Sequence, residues 1–170
     1  EGYLNDLWKY EISTNRWTWI SGTNLLNQHG IYGTKGVGSS ANIPGARQNS
    51  VSAIDKVGNF LLFGGNGFAT SGALSYLNDL WKYNITTNQW TWLSGSNTAN
   101  SSGIYGILGQ VDANNIPGAR YGSMAWMDTA NNLWIFGGQG FGTNIRFNDL
   151  WKYNVNTNEW TWMSGSDSSN

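Results

Sequence analysis

The chain contains no cysteine, so no disulfide and no thiolate metal site can form from its 170 residues. It has a single histidine, His29, which excludes a histidine-rich metal site. Charge is scarce as well. Charged residues make up 11%, and nine Lys+Arg against ten Asp+Glu leave a formal net charge of −1. Without a basic field to hold a phosphate backbone, nucleic acid is not an expected partner. No apolar run reaches the ~18 residues that a membrane-spanning helix needs. No segment of useful length keeps a helical period, and no signal peptide is visible. What is abundant is aromatic and small: 11 Trp, 8 Tyr, 6 Phe and 23 Gly. A background of Asn, Ser and Thr with little Lys or Glu points to an exported protein, whether extracellular, cell-surface or periplasmic.

The aromatic residues recur in order. NDLWKY occurs three times, at Asn5–Tyr10, Asn78–Tyr83 and Asn148–Tyr153. Each copy is followed at constant distance by NRWTWISG, NQWTWLSG or NEWTWMSG. FGGNGF at Phe63 matches FGGQGF at Phe136, and both NIPGAR and GIYG occur twice. The offset is 73 residues from the first unit to the second (78 − 5) and 70 from the second to the third (148 − 78). The three-residue difference falls after the double glycine, which marks that segment as a loop. A fixed long period denotes a repeat architecture.

Each unit contains four strand-like runs. In the second unit they are Arg47–Ile54, Asn59–Phe63, Asp79–Asn84 and Gln89–Leu93, separated by DKVG, a long segment and ITTN. Alternation puts Trp81 and Tyr83 on one face of the third strand, and Leu80 and Lys82 on the other. Buried on both faces, such a strand favours large flat side chains. NDLWKY therefore reads as a structural tile, with Asp79 capping the turn that enters the strand. Four short strands per unit, with Gly and Trp at fixed places, describe a β-propeller blade.

Three elements resemble the kelch family. They are the double glycine after an apolar strand (Gly64–Gly65, Gly137–Gly138), a Tyr later in the unit, and a Trp seven residues after it. The Tyr–Trp spacing holds at Tyr10/Trp17, Tyr83/Trp90 and Tyr153/Trp160. The resemblance implies an all-β fold of kelch-type propeller blades, each a four-stranded antiparallel sheet, with about two and a half blades present. The units exceed the ~50 residues of a kelch repeat, and the excess lies in long inter-blade loops. The expected layout is the outer two strands of a first blade at 1–20, a loop at 21–45, a second blade at 46–94, a loop at 95–118, a third blade at 119–165 and a tail at 166–170. The inner strands of the first blade are expected from elsewhere, making these residues part of a larger propeller.

Alternating strand direction puts every long connection on one face: Asn66–Leu77, Gln139–Phe147, Ser21–Gly45 and Ser94–Gly118. Binding residues concentrate on loops, so that face is the functional candidate. Arg47 and Arg120 open the innermost strands there. They either grip ligand carboxylates or sugar hydroxyls, or bond loop carbonyls and stack on a neighbouring Trp. Tyr32 and Tyr105, in matching GIYG segments, either pin the loop to the blade or form a sugar-stacking platform. In both pairs, identical repetition favours the structural role. Asp112 is the one loop carboxylate of interest, while Asp55 and Asp128 are turn residues on the opposite face. Phe68 and Phe141 are expected to plug between blades.

For function, the leading expectation is a non-catalytic binding or scaffold module that recognises a protein or glycan with its long loops. The resemblance also includes carbohydrate-active enzymes, related to sialic-acid mutarotases or galactose oxidases. The copper site of the latter requires histidines and a Tyr–Cys crosslink that this chain cannot supply, so no cofactor and no metal are expected. A third reading is a self-assembling surface or filament component. Expected partners are the ligand on the long-loop face and the remainder of the propeller or neighbouring chains.

Overall fold

A computed structural model describes residues 2–168. These residues form strands and loops, with no helix among them. The first sheet contains only β1 (Leu7–Glu11) and β2 (Arg16–Ser21). The second is built from β3 (Arg47–Gln48), β4 (Val51–Ile54), β5 (Phe60–Gly67), β6 (Ser75–Asn84) and β7 (Gln89–Ser94). β3 and β4 both pair with β5, which continues through β6 to β7. In the third sheet β8 (Val111–Asp112) lies at the outer edge, beside β13 (Glu159–Ser164). β12 (Arg146–Asn154) and β11 (Asn132–Gly140) follow inward, and β9 (Arg120–Tyr121) and β10 (Met124–Met127) both pair with β11. All named pairings are antiparallel.

The Tyr–Trp spacing becomes a cross-strand pair. Tyr10, Tyr83 and Tyr153 sit opposite Trp17, Trp90 and Trp160 in the β1–β2, β6–β7 and β12–β13 ladders. Their ring centroids lie 5.0, 5.2 and 4.9 Å apart, within the range for favourable aromatic pairs. Each tyrosine hydroxyl donates to Asn15, Asn88 or Asn158 at the end of the following turn. These asparagines hold φ of 54°, 55° and 60°, a left-handed conformation that Asn tolerates better than most residues.

The sheets pack face to face. Leu61, Phe63, Leu80 and Leu93 of the second sheet share one core with Leu133, Ile135, Trp151, Tyr153 and Trp160 of the third. The opposite face of the second sheet presents Trp81, Tyr83 and Trp90 to Leu7 and Ile20 of the first. The two faces expected for β6 are therefore the two faces found. A polar bond crosses each contact: the Trp90 and Trp160 indoles donate to the Ser21 and Ser94 hydroxyls, both at 3.1 Å.

Several expected boundaries shift. The first strand of each complete unit is broken in two, because Asn49 turns to φ 52° between β3 and β4 and Gly122 to φ 66° between β9 and β10. The apolar strand does not end at the double glycine. β5 and β11 run through it, with a register shift there, and resume pairing beyond. The loops proper shrink to 68–74 and 141–145. Gly64 and Gly65 hold φ of 62° and 101°, and a Cβ on Gly65 would lie 2.3 Å from the Ser50 hydroxyl. Phe141 does not plug between sheets; it is 61% exposed. Phe68 is half-buried, with its ring edge-on to His29 at 5.5 Å.

The long inter-sheet segments fold back onto the sheet that follows them. Gly36 and Ser39 amides donate to the Trp92 and Trp90 carbonyls, and Gly109 donates to Trp162. In the third sheet this return adds β8 as an extra edge strand beside Trp160 and Thr161.

Candidate functional site

The long-loop face is built on a carboxylate buried under each complete sheet. Asp79 is completely buried, so it does not cap a turn at the surface. The side chain of Arg47 reaches it through two bonds of 2.7 Å. The Tyr32 hydroxyl donates to Asp79 Oδ2 at 2.6 Å and the Trp81 indole at 2.7 Å. Arg47 also donates to the carbonyls of Gly45 and Gly64. The left-handed Gly64–Gly65 kink turns the Gly64 carbonyl toward Arg47 and Ser50.

Asp149 repeats the arrangement. It accepts from Arg120 at 2.6 and 2.7 Å, from Tyr105 at 2.6 Å and from Trp151 at 2.7 Å. Arg120 bonds the Gly118 and Gly137 carbonyls and lies over the Phe147 ring, 4.0 Å from its centre. The aromatic partner is thus a Phe rather than a Trp. Burial pushes the Tyr32 and Tyr105 phenols well above their ordinary range, and the carboxylates they bond add to this. Burial opposes ionisation of Asp149 too, but Arg120, Tyr105 and Trp151 outweigh it and hold the carboxyl below its ordinary value. Each loop tyrosine also packs on two Trp rings, Tyr32 on Trp81 and Trp92, and Tyr105 on Trp151 and Trp162.

Arg47, Arg120, Tyr32 and Tyr105 therefore direct their polar groups inward, to carboxylates of their own sheets. The asparagine of NDLWKY is a second latch. Asn5 and Asn78 donate to the Pro44 and Pro117 carbonyls, and Asn5, Asn78 and Asn148 accept from the amides of Thr23, Ser96 and Ser166. Asp112 is exposed on β8 and accepts from the Asn114 backbone and side chain. Asp55 and Asp128 organise their turns by accepting from nearby amides and from Asn59 or Asn132.

A different set of side chains, half-buried or exposed, gathers where the two complete blades meet on the long-loop face. Tyr76 at the start of β6 lies 4.8 Å from Tyr121 of β9 and 6.2 Å from Phe141, centroid to centroid. The Tyr121 hydroxyl donates to Gln139 Oε1 at 2.6 Å, leaving the Gln139 amide nitrogen as a donor. Burial, reinforced by Tyr121, raises the Tyr76 phenol above its ordinary value. Arg146 is exposed nearby, its guanidinium donating to the Ile145 carbonyl. Phe141 also borders a shallow pocket of about 400 Å³ lined by Tyr105, Ile145, Phe147 and Asp167.

Apart from Phe141, which recurs as Phe68, these rim residues escape a reading that looks for recurrence. Gln48 stands where Tyr121 does one unit later, Asn66 where Gln139 does, and Tyr76 where Arg146 does, at the offsets of 73 and 70. The signal that identifies them is difference inside an otherwise repeated frame. Among the described residues, no group of three His, Cys, Asp or Glu side chains is placed to hold a metal ion.

A family model for the kelch motif matches residues 129–161, from the turn before β11 into β13. No curated protein matches the chain. The matched motif lies in the third sheet, and its double glycine, Tyr and Trp recur in the second, so the chain carries a kelch motif within antiparallel β-propeller blades.

Proposed function

We propose that the chain is a non-catalytic binding module that takes a protein or glycan ligand at the rim formed by Tyr76, Tyr121, Phe141, Gln139 and Arg146. The observation that carries this reading is the contact of Tyr76 with Tyr121, which joins the two complete blades at positions where the repeats depart from one another, with Phe141, the counterpart of Phe68, beside it. The scaffold needs the same side chain in every blade, and a ligand does not. The exposed Phe141 ring, two half-buried tyrosines, an amide and a guanidinium suit a ligand that combines apolar surface with hydrogen-bond acceptors. The scarcity of Lys and Glu supports an exported setting, where the proposed ligand would be extracellular or periplasmic. The test is to probe glycan and peptide arrays with the wild type and with a Tyr76→Ala, Phe141→Ala variant. The reading expects hits that the variant loses while its unfolding midpoint stays within ~0.5 kcal/mol of wild type. Hits that survive both substitutions place the ligand elsewhere.

A further inference from the structure

The loop after the double glycine is three residues shorter in the third blade than in the second (73 − 70). In the second blade that loop fills its own interior. Ala69 is fully buried. Its carbonyl accepts from the Gly30 amide at 3.1 Å and from the His29 ring nitrogen Nδ1 at 3.0 Å. The amide that follows, Thr70 N–H, donates to the Asn97 carbonyl at 3.1 Å. A single peptide group, Ala69–Thr70, thus ties the segment entering the blade to the segment leaving it. The third blade has no such plug. Gly142, the counterpart of Ala69 in sequence, is exposed, with φ of 119°. Ser102 stands in the place of His29. The result is the pocket of about 400 Å³ beside Phe141, whose lining includes Gly103 and Asp167, the counterparts of Gly30 and Asn97. Among the described residues, neither the Gly103 amide nor the Asp167 carbonyl has a backbone partner. Gly103 and Tyr105 are half-buried where Gly30 and Tyr32 are buried. Because the second blade fills this place from its own loop, the pocket is a property of the shorter loop in the third.

We infer that this pocket is a subsite for the acetamido group of an N-acetylated amino sugar. The inference does not rest on the rim, with which the pocket shares only Phe141. An acetamido group has the parts of the Ala69–Thr70 link in the same order: a methyl for the Ala69 Cα, then a carbonyl, then an N–H. The carbonyl accepts from the Gly103 amide, and the N–H donates to the Asp167 carbonyl. The methyl lies among Tyr105, Ile145 and Phe147. A partly buried donor and acceptor gain most from a ligand that satisfies both at once. Three features favour a sugar over a peptide. The open donor and the open acceptor match one amide, whereas a peptide strand presents a row of them. On the acyl side stands Phe141, the counterpart of Phe68, so the acyl group is short. Beyond the amide, Ser102, Asp167 and Ser168 offer hydroxyls and a carboxylate to ring hydroxyls, and the Phe141 ring, 61% exposed, offers an apolar face to the pyranose.

The test is a magnetic-resonance titration of the whole chain with N-acetylglucosamine, glucose and N-acetylalanine methylamide. N-acetylglucosamine is expected to bind one to one, with the largest amide shift at Gly103 and the strongest saturation transfer to its acetyl methyl. Glucose should bind about tenfold or more weakly, the order expected for losing two hydrogen bonds and one buried methyl. N-acetylalanine methylamide, which carries the acetamido group without a sugar ring, should also bind more weakly. A chimera supplies the second arm. In it the sequence of residues 69–74 replaces residues 142–144, and Ser102→His restores the ring beside them. The chimera should keep a folded amide spectrum and lose the sugar. The three ligands read the pocket in the unaltered chain, so the test stands even where the chimera fails to fold. An unmoved Gly103 amide, equal affinities for glucose and N-acetylglucosamine, or a folded chimera that still binds overturns the inference. Tighter binding of N-acetylalanine methylamide than of the sugar also overturns it, making the ligand a peptide.

Discussion

Replacing Asp149 with leucine tests how the carboxylate holds the third blade together. Arg120 and Asp149 have completely buried side chains. Removing the carboxylate alone leaves an unpaired guanidinium in the core, which costs about 3–5 kcal/mol. The Tyr105 hydroxyl and Trp151 indole lose their acceptor as well, at about 1–3 kcal/mol each where no water replaces it. Those costs overlap, and the loss should reach at least ~4 kcal/mol of a total that for one domain is about 5–15 kcal/mol. The double variant Arg120→Met, Asp149→Leu removes both charges, and replacing a buried pair by apolar groups is often close to neutral. It should therefore recover more than half of the loss, with the unsatisfied phenol and indole accounting for the remainder. Urea titrations of the wild type, both single variants and the double variant give the four corners of the cycle. The reasoning is refuted if Asp149→Leu costs under ~1 kcal/mol, or if the double variant is no more stable than the single.

Truncating Trp90 to alanine should cost about 3–5 kcal/mol, as for large aromatic core residues; a loss under ~1 kcal/mol in a denaturant titration would mark the ring as a surface feature. Stability should fall in acid. The Asp149 carboxyl ionises more readily folded than unfolded, so its contribution is complete above its ordinary value of 3.8 and disappears as pH falls through the lower folded value. Stability should also fall in alkali, because the buried Tyr105 phenol resists ionisation. Its contribution is complete below 10.0, the ordinary value, and declines as pH rises above it. Thermal unfolding followed across both ranges checks the two limbs, and a Tyr105→Phe variant should shallow the alkaline one.

Repetition made the fold legible and concealed the site. NDLWKY and its following Trp run mark β6 and β7 because alternation and cross-strand pairing are local. The double glycine misleads about where β5 ends. A kinked strand and a turn both need left-handed residues, and only pairing beyond the kink separates them. The partner of Asp79 is invisible locally, since Arg47 lies 32 residues away and Tyr32 lies 47 away. The identical repetition of Arg47/Arg120 and Tyr32/Tyr105 does point to their inward role. Tyr76 and Tyr121 carry no motif at all. They meet because the start of β6 lies beside β9 of the adjacent blade, a relation that the contact between sheets creates.

The central claim is that the repeated residues buried under each blade hold the fold, while Tyr76, Tyr121, Gln139 and Arg146, which differ between the repeats, set the rim that meets the ligand. Two isosteric changes in the third blade test it by the loss of one hydroxyl each: Tyr105→Phe, at a repeated position, and Tyr121→Phe, at a position held by Gln48 in the previous unit. Urea unfolding of the two variants is the measurement. Tyr105→Phe should cost about 1–3 kcal/mol, because it leaves part of the Asp149 carboxylate unsatisfied. Tyr121→Phe should stay within about 0.5 kcal/mol of wild type, because Gln139 at the rim can turn to water. Equal losses, or a larger loss for Tyr121→Phe, would contradict the division between scaffold and rim.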